Sequence, residues 1–252
     1  MIQAKKSLGQ NFLKNEVVLQ KIADSLDIKE EDVVVEIGPG LGALTRYLVS
    51  SPARKIIVIE KDRRLIEGLN RDFSAERFSV IEGDALEVLP SLKIEKFKLI
   101  GNIPYYITGY LMRIISELKN KPEVSVFVVQ KEVAERAVMM EPKNNILSLS
   151  LSFWAEPKNL GTIKKENFYP VPKVDSAILK LVAKESVADR TSFFKTLHLL
   201  FKQPRKTILN NLAEAIEKTG AEKIIQEAGL EPTLRPENLS LSDVKKISGL
   251  IN

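Results

Sequence analysis

Short, almost unbroken apolar runs recur through the first half of the chain, at positions 33–37, 55–60, 78–81, 97–101 and 124–130. A strand that is wet on one face alternates apolar and polar residues; runs without that alternation predict strands covered on both faces. Between them lie stretches with helical spacing at 44–50, 63–72 and 110–118. Strand and helix in alternation predict a doubly wound α/β domain built on a parallel, Rossmann-like sheet. Two later runs, 147–154 and 174–183, have no helical pattern between them and are expected to pair antiparallel at one edge. Beyond Glu185 only helical spacing is left, at 191–202, 206–218, 222–228 and 242–251. The expected division is an α/β domain over 1–185 and a small all-α domain over 186–252. Ser240 or Ser242 is a candidate cap for the last helix, and Gly220 and Gly229 are candidate helix stops.

Composition narrows the chemistry. At 252 residues, 44% of them hydrophobic, the chain is long enough to bury a full core. A formal charge of +5 and a pI of about 9.2 suit a polyanionic partner, although an excess of Lys also serves solubility. There is no cysteine, which excludes disulfides, thiolate zinc sites and thiol nucleophiles. The single histidine, His198, sits in an apolar helical stretch and reads as a packed or surface residue, so neither metal binding nor His-based acid–base chemistry is expected. The N-terminal residues lack the apolar core of a signal peptide and no run reaches the length of a membrane span. A cytoplasmic, monomeric protein is the expectation.

The chemistry concentrates at the ends of the predicted strands. After the first comes Glu36-Ile37-Gly38-Pro39-Gly40-Leu41-Gly42-Ala43, whose glycines permit a tight turn and close approach of a ligand, and which equally satisfies a dinucleotide-binding pattern. Glu60 closes the second strand, placed to accept the hydroxyls of a ribose, as an acid does in NAD enzymes. Asp84, in Gly83-Asp84-Ala85, is a carboxylate after the third strand, able to accept from an adenine amine or to cap a helix. After the fourth stands Asn102-Ile103-Pro104-Tyr105. An Asn side-chain oxygen and a following backbone carbonyl can accept both hydrogens of an exocyclic amine while an aromatic ring stacks on the base. Asn is neutral at every working pH, so it acts there as an acceptor and suits methyl transfer from a sulfonium to an adenine N6. The same tetrapeptide also reads as a plain strand-exit turn.

Four blocks in order, Leu8 to Leu13, Glu36 to Gly42, Gly83 to Ala85 and Gly101 to Tyr105, resemble the rRNA adenine dimethyltransferases of the kasugamycin-resistance (KsgA) family. Further matches run through Val129 to Arg136, Phe168 to Ser176, Arg205-Lys206-Thr207 with Asn210-Asn211-Leu212, and Arg235 to Ser240, so the likeness covers nearly the whole chain. It implies S-adenosylmethionine as cofactor, held by Asn11, Leu13, Gly38, Gly40, Glu60, Asp84, Ala85 and Asn102. It implies a catalytic group of Asn102, Pro104 and Tyr105, with Phe168 as a second stacking face for the base; Phe168 also reads as a core plug. The implied reaction is dimethylation of two adjacent adenosines in the 3′-terminal hairpin of 16S rRNA, the partner being the small ribosomal subunit or its precursor. Three positions depart from the family pattern: Tyr106 where Asn is common, Val171 where Pro is common, and Pro204 where a second basic residue usually precedes Arg205.

Charge points the same way. Between Arg190 and Leu212 five basic residues stand with no acid, and Lys5, Lys6 and Lys14 precede the first acid, Glu16. Lys5, Lys6, Lys202, Arg205 and Lys206 are the expected phosphate contacts, against the alternative of a merely solvated face. Other readings stay open on the residues: a large-subunit rRNA methyltransferase of the macrolide-resistance type, a non-catalytic RNA-binding or transcription factor, and an NAD oxidoreductase.

Overall fold

The computed structural model describes residues 4–5, 8–184 and 189–251. It contains two compact units, Met1–Ala134 with Lys158–Ala183, and Glu135–Pro157 with Lys184–Asn252. The expected boundary at 185/186 lies outside the described residues. The units also differ from the expected division in that Glu135–Pro157 groups with the helical one.

In the first unit the chain runs β1 (Phe12–Leu13), α1 (Glu16–Asp24), β2 (Val33–Ile37), α2 (Thr45–Val49), β3 (Lys55–Glu60), α3 (Arg63–Asp72), β4 (Phe78–Glu82), α4 (Ala85–Ser91), β5 (Lys98–Asn102), α5 (Thr108–Glu117) and β6 (Val124–Gln130). Helix α6 (Lys131–Ala137) leads out of it; β7 (Ala155–Ile163), β8 (Phe168–Tyr169) and β9 (Ser176–Ala183) complete it. The seven-stranded sheet has the order β4-β3-β2-β5-β6-β9-β7. Its first five strands are parallel and β9 is antiparallel to β6. All five residues of β2 are buried, Glu36 among them, as a strand covered by helices on both faces requires. Between β2 and β5 the connections leave in opposite directions, which opens a crevice at the carboxyl ends of these strands.

A second, two-stranded sheet ties the amino terminus down: β1 pairs antiparallel with β8, Leu13 opposite Phe168. Lys14 N–H donates to the Asn167 carbonyl at 2.8 Å, and Asn15, which caps α1, donates from Nδ2 to Asn167 Oδ1 at 2.8 Å. Leu13 and Phe168 belong to the core formed by α1, the β2–β3 face and Ile178 of β9.

The second unit holds α7 (Ile146–Trp154), α8 (Arg190–Leu200), α9 (Ile208–Leu212), α10 (Lys218–Glu227) and α11 (Leu241–Ile251). Helix α7 corrects the expected strand at 147–154. Alternating Leu and Ser mimic a strand period, but Asn145 accepts from the Leu147 and Ser148 N–H groups while the Ser148 hydroxyl accepts from the Asn145 N–H. That reciprocal cap starts a helix, and the antiparallel edge is made by β9 and β7 instead. The expected helix at 206–218 is also shorter: α9 stops at Leu212, and Asn211, fully buried, spends its amide on the Gln203 N–H and on the carbonyls of Gln203 and Thr207. Gly220 lies inside α10 and stops nothing, whereas Gly229, at φ +74°, follows the end of α10. Ser240 caps α11, its hydroxyl accepting from the Asp243 N–H at 3.1 Å.

Candidate active site

The crevice at the strand tips is a cleft of about 370 Å³, within the range of small-molecule sites. Its floor is fixed by backbone hydrogen bonds among the strand ends. Gly38 N–H donates to the Ile59 carbonyl, Gly83 N–H to the Glu60 carbonyl and Ile103 N–H to the Val128 carbonyl. Gly38 has φ +64°, a conformation a side chain rarely adopts, and a Cβ built on it would meet nothing within 4 Å. The turn therefore presents bare backbone to open space, as a ligand lying across the strand tips requires.

Glu60 is nearly fully buried, its Oε2 accepting from the Gly40 N–H at 3.1 Å and its Oε1 from the Asp62 N–H at 2.7 Å. Burial raises its pKa against the pull of those N–H groups. The two bonds leave lone pairs for further donors and hold the carboxylate at the cleft edge. Asp84 is the helix cap that the sequence allowed, and it stands on the cleft wall. Its Oδ1 caps α4 by accepting from the Leu86 N–H at 2.9 Å, and its Oδ2 pairs with Lys61 Nζ at 2.7 Å on the cleft wall. Partial burial opposes ionisation there, but Lys61 and the cap hold the carboxyl below its usual range. Ala85 lines the cleft beside it.

The amino-terminal arm crosses to the same cleft. Asn102 Nδ2 donates to the Asn11 carbonyl at 2.7 Å, and Gln10 Nε2 donates to Asp62 Oδ2 at 3.1 Å. Asp62 is buried and paired with Arg64 at 2.6 Å, which holds its carboxyl well below the usual range. With Nδ2 committed, the Asn102 amide has one orientation, and among the described residues its Oδ1 has no hydrogen-bond partner. Tyr105 lines the cleft next to it, its hydroxyl bonded to Ser176 Oγ at 2.7 Å, which fixes the ring. Asn11, Leu13, Gly38, Gly40, Glu60, Asp84, Ala85, Asn102, Pro104 and Tyr105 are thus brought together.

Other expected site residues are not. Phe168 is fully buried in the core opposite Leu13 and does not line the cleft, so here it is the plug and not an exposed stacking face. Lys5 reaches Asp62 at 3.5 Å and helps latch the arm. Lys6 lies outside the described residues. In the helical unit Lys202, Arg205 and Lys206 are all exposed, and Lys202 pairs with Glu214 at 2.7 Å. His198 is exposed, its ring bonded to the Phe194 carbonyl. Among the cleft residues to which sequence reasoning gave no role are Glu36, Lys61 and Tyr106. Glu36 lies wholly inside, accepting from the Thr45 hydroxyl at 2.7 Å; a charged residue inside an otherwise apolar strand was its available signal.

A Rossmann-like domain with a bare glycine turn at the first strand tip, carboxylates at the next two and an Asn-x-Pro-Tyr turn at the fourth defines an S-adenosylmethionine-dependent methyltransferase. The chain belongs to the ribosomal RNA adenine dimethylase family, whose description matches residues 1–252. It is 38% identical to a ribosomal RNA small subunit methyltransferase A of Dehalococcoides mccartyi over 98% of this chain and 88% of that one. Among solved structures it is similar to a dimethyladenosine transferase from Plasmodium falciparum (TM-score 0.82, 27% identity, covering 94% of this chain and 95% of that one). It is also similar to the 23S rRNA methyltransferase ErmE (TM-score 0.76, 25% identity, covering 95% and 99%). The protein is an rRNA adenine dimethyltransferase with S-adenosylmethionine as its cofactor and rRNA as its substrate. Among the described residues no group of side chains is arranged to hold a metal ion, and no helix is long and apolar enough to cross a membrane.

Replacing Glu60 by Ala is expected to weaken cofactor binding by about 1.5–3 kcal/mol, the usual worth of a charged acceptor, while the circular dichroism of the α/β sheet persists. Calorimetric titration with S-adenosylmethionine checks it; unchanged affinity in the folded variant removes Glu60 from the ribose site.

Proposed function

We propose that the protein transfers methyl groups from S-adenosylmethionine to N6 of two adjacent adenosines in the 3′-terminal hairpin of 16S rRNA, acting in the cytoplasm as a monomer during small-subunit biogenesis. The observation that carries the reading is the Asn102 amide, anchored through Nδ2 to the arm and leaving Oδ1 as an unpartnered acceptor beside Tyr105. The names of the relatives favour the small subunit as the source of that adenosine.

The cofactor supplies an electrophilic methyl group on a sulfonium. Everything else falls to the chain. Glu60 and Asp84 accept from ribose and amine donors and thereby set where the nucleoside lies. The target base leaves its stack at a cost of a few kcal/mol and lies against Tyr105. Asn102 Oδ1 and the Ile103 carbonyl accept the two N6 hydrogens, drawing the nitrogen out of conjugation with the ring and turning its lone pair toward the methyl carbon. No residue must act as a general base before transfer, since the amine proton would pass to solvent water only after the new N–C bond had formed and the methyl–sulfur bond had broken. Proximity and fixed dipoles carry the catalysis.

Incubation with tritiated S-adenosylmethionine and small subunits lacking adenosine dimethylation, followed by nucleoside analysis of the rRNA, tests the proposal. Label in dimethyladenosine of the 3′ hairpin is the expected result. Label in large-subunit RNA alone would favour the macrolide-resistance type, and no label on any RNA a non-catalytic binding factor.

The helical unit is proposed to bind phosphates through the exposed Arg205 and Lys206, with Lys202, whose surface pair with Glu214 is weak enough to yield to a phosphate, beside them. Reversing Arg205 and Lys206 to Glu is expected to weaken subunit binding and to reduce the slope of log affinity against log salt by about one for each lost phosphate contact. Cofactor affinity should not change; an unaltered salt slope would remove these residues from the RNA surface.

A further inference from the structure

One face of α5 is exposed in a way the adenine site does not use. Its buried apolar positions are Leu111, Met112, Ile114 and Ile115, turned to the core. The opposite face carries Tyr106 just before the helix, then Gly109, Tyr110, Arg113 and Glu117, at helical spacing and all exposed. Tyr106 and Tyr110 are 64% and 56% exposed, and the Arg113 side chain is 72% exposed. Two bare aromatic rings on one helix face are out of place on a solvated surface, because each holds a large apolar area in water.

The row begins inside the cleft. Tyr106 lines it with Asn102 and Tyr105, its ring edge lying over Gly9, where an added Cβ would come within 3.2 Å of the ring. From that rim Tyr110 and Arg113 lead outward along the helix. Gly109 leaves the surface beside Tyr110 open, since a Cβ there would meet nothing within 4 Å. Arg113 pairs with Glu117 at 3.1 Å, but an exposed pair four residues apart is worth only about 0.3–0.5 kcal/mol, so the guanidinium is easily given up to a phosphate. From Tyr105 to Lys121 there are three basic residues, Arg113, Lys119 and Lys121, and one acid.

We infer that this face of α5 is a track for the single-stranded RNA that flanks the target adenosine, with neighbouring bases stacking on Tyr106 and Tyr110 and a phosphate bound by Arg113. The inference rests on the proposed reaction, because the strand entering the cleft is what the track would hold. Aromatic rings stack on any base, so the track adds affinity and positions the strand without reading its sequence. Its continuity with the cleft and its positive balance select RNA over a protein partner.

The test uses the full chain with a hairpin RNA whose loop carries two adjacent adenosines, followed by fluorescence anisotropy. Tyr110→Ala is expected to weaken hairpin binding about tenfold, Tyr110→Phe to stay within twofold of the unaltered protein, and Arg113→Ala to lower the salt slope by about one. Cofactor affinity should be unchanged in all three. Cross-linking of the unaltered protein to a 4-thiouridine-substituted loop should label Tyr106 or Tyr110, and needs no variant to fold. Variants that bind the hairpin within twofold, or cross-links confined to other elements, overturn the inference. So does a loss of affinity for whole subunits with none for the hairpin, which would make this face a protein contact. If the unaltered protein methylates no small-subunit adenosine, the proposed reaction itself fails; if it does so while the variants bind normally, only the track fails.

Discussion

Asn102→Ala is expected to lower methyl transfer about 10²- to 10³-fold, the range seen when one preorganised donor or acceptor at a reacting centre is removed. Two losses combine in it. The acceptor for the N6 hydrogens disappears, and so does the Nδ2 bond that holds the Asn11 carbonyl and the arm against the cleft. Asn102→Asp separates them, because it keeps an acceptor and loses the donor to Asn11. RNA affinity should change less than threefold in both variants, since the proposed phosphate contacts lie elsewhere. Single-turnover transfer with anisotropy on the same preparations decides the matter; Asn102→Ala working within fivefold of the unaltered protein would end the catalytic assignment.

The second large effect concerns pH. Burial pushes the Glu36 carboxyl up to about 8 from 4.5, against the Thr45 hydrogen bond and with a contribution from nearby Glu60. A carboxyl raised in the folded state binds a proton that the unfolded chain has already released between those two values. Stability from this group is therefore fully present below about pH 4.5 and is lost as pH rises through about 8. The loss is at most about 5 kcal/mol, the free-energy equivalent of the gap between the two values. Glu36→Gln keeps an acceptor for Thr45 and cannot ionise, so its unfolding free energy should fall less steeply between pH 5 and pH 9 than that of the unaltered protein. Urea denaturation at both pH values measures this. Parallel pH dependences in the two proteins would show that the Glu36 carboxyl is not raised in the folded state.

The sheet was readable because four of its parallel strands, β2, β3, β5 and β6, are mostly buried and leave nearly unbroken apolar runs, with the half-buried edge strand β4 beside them; all five lie where the spacing put them, to within a residue at either end. Misreading began where the pattern served two structures. Ser148, Ser150 and Ser152, at every second position, look like a wet strand face, yet the capping Asn145 makes the segment a helix. Helix α4 was hidden by Pro90 inside it. The acceptors at the strand tips were legible since each follows its own strand directly. The arm's role in the cleft was not, because Asn102 meets Asn11 and Gln10 meets Asp62 across 91 and 52 residues, distances no local pattern spans. Lys202 shows the same blindness: its ion-pair partner, Glu214, stands beyond the acid-free run and reaches it only through the turn that ends α8 and begins α9.

Pairing of β1 with β8 has a bearing on synthesis. The parallel strands β2 to β6 can associate once about half the chain has left the ribosome, as local βαβ units do. Phe12 and Leu13 have no strand partner until Phe168 and Tyr169 follow. The first strand to leave the ribosome is thus fastened only after translation has passed from β6 to β8, a separation in time that no other strand of the first five made has to wait out.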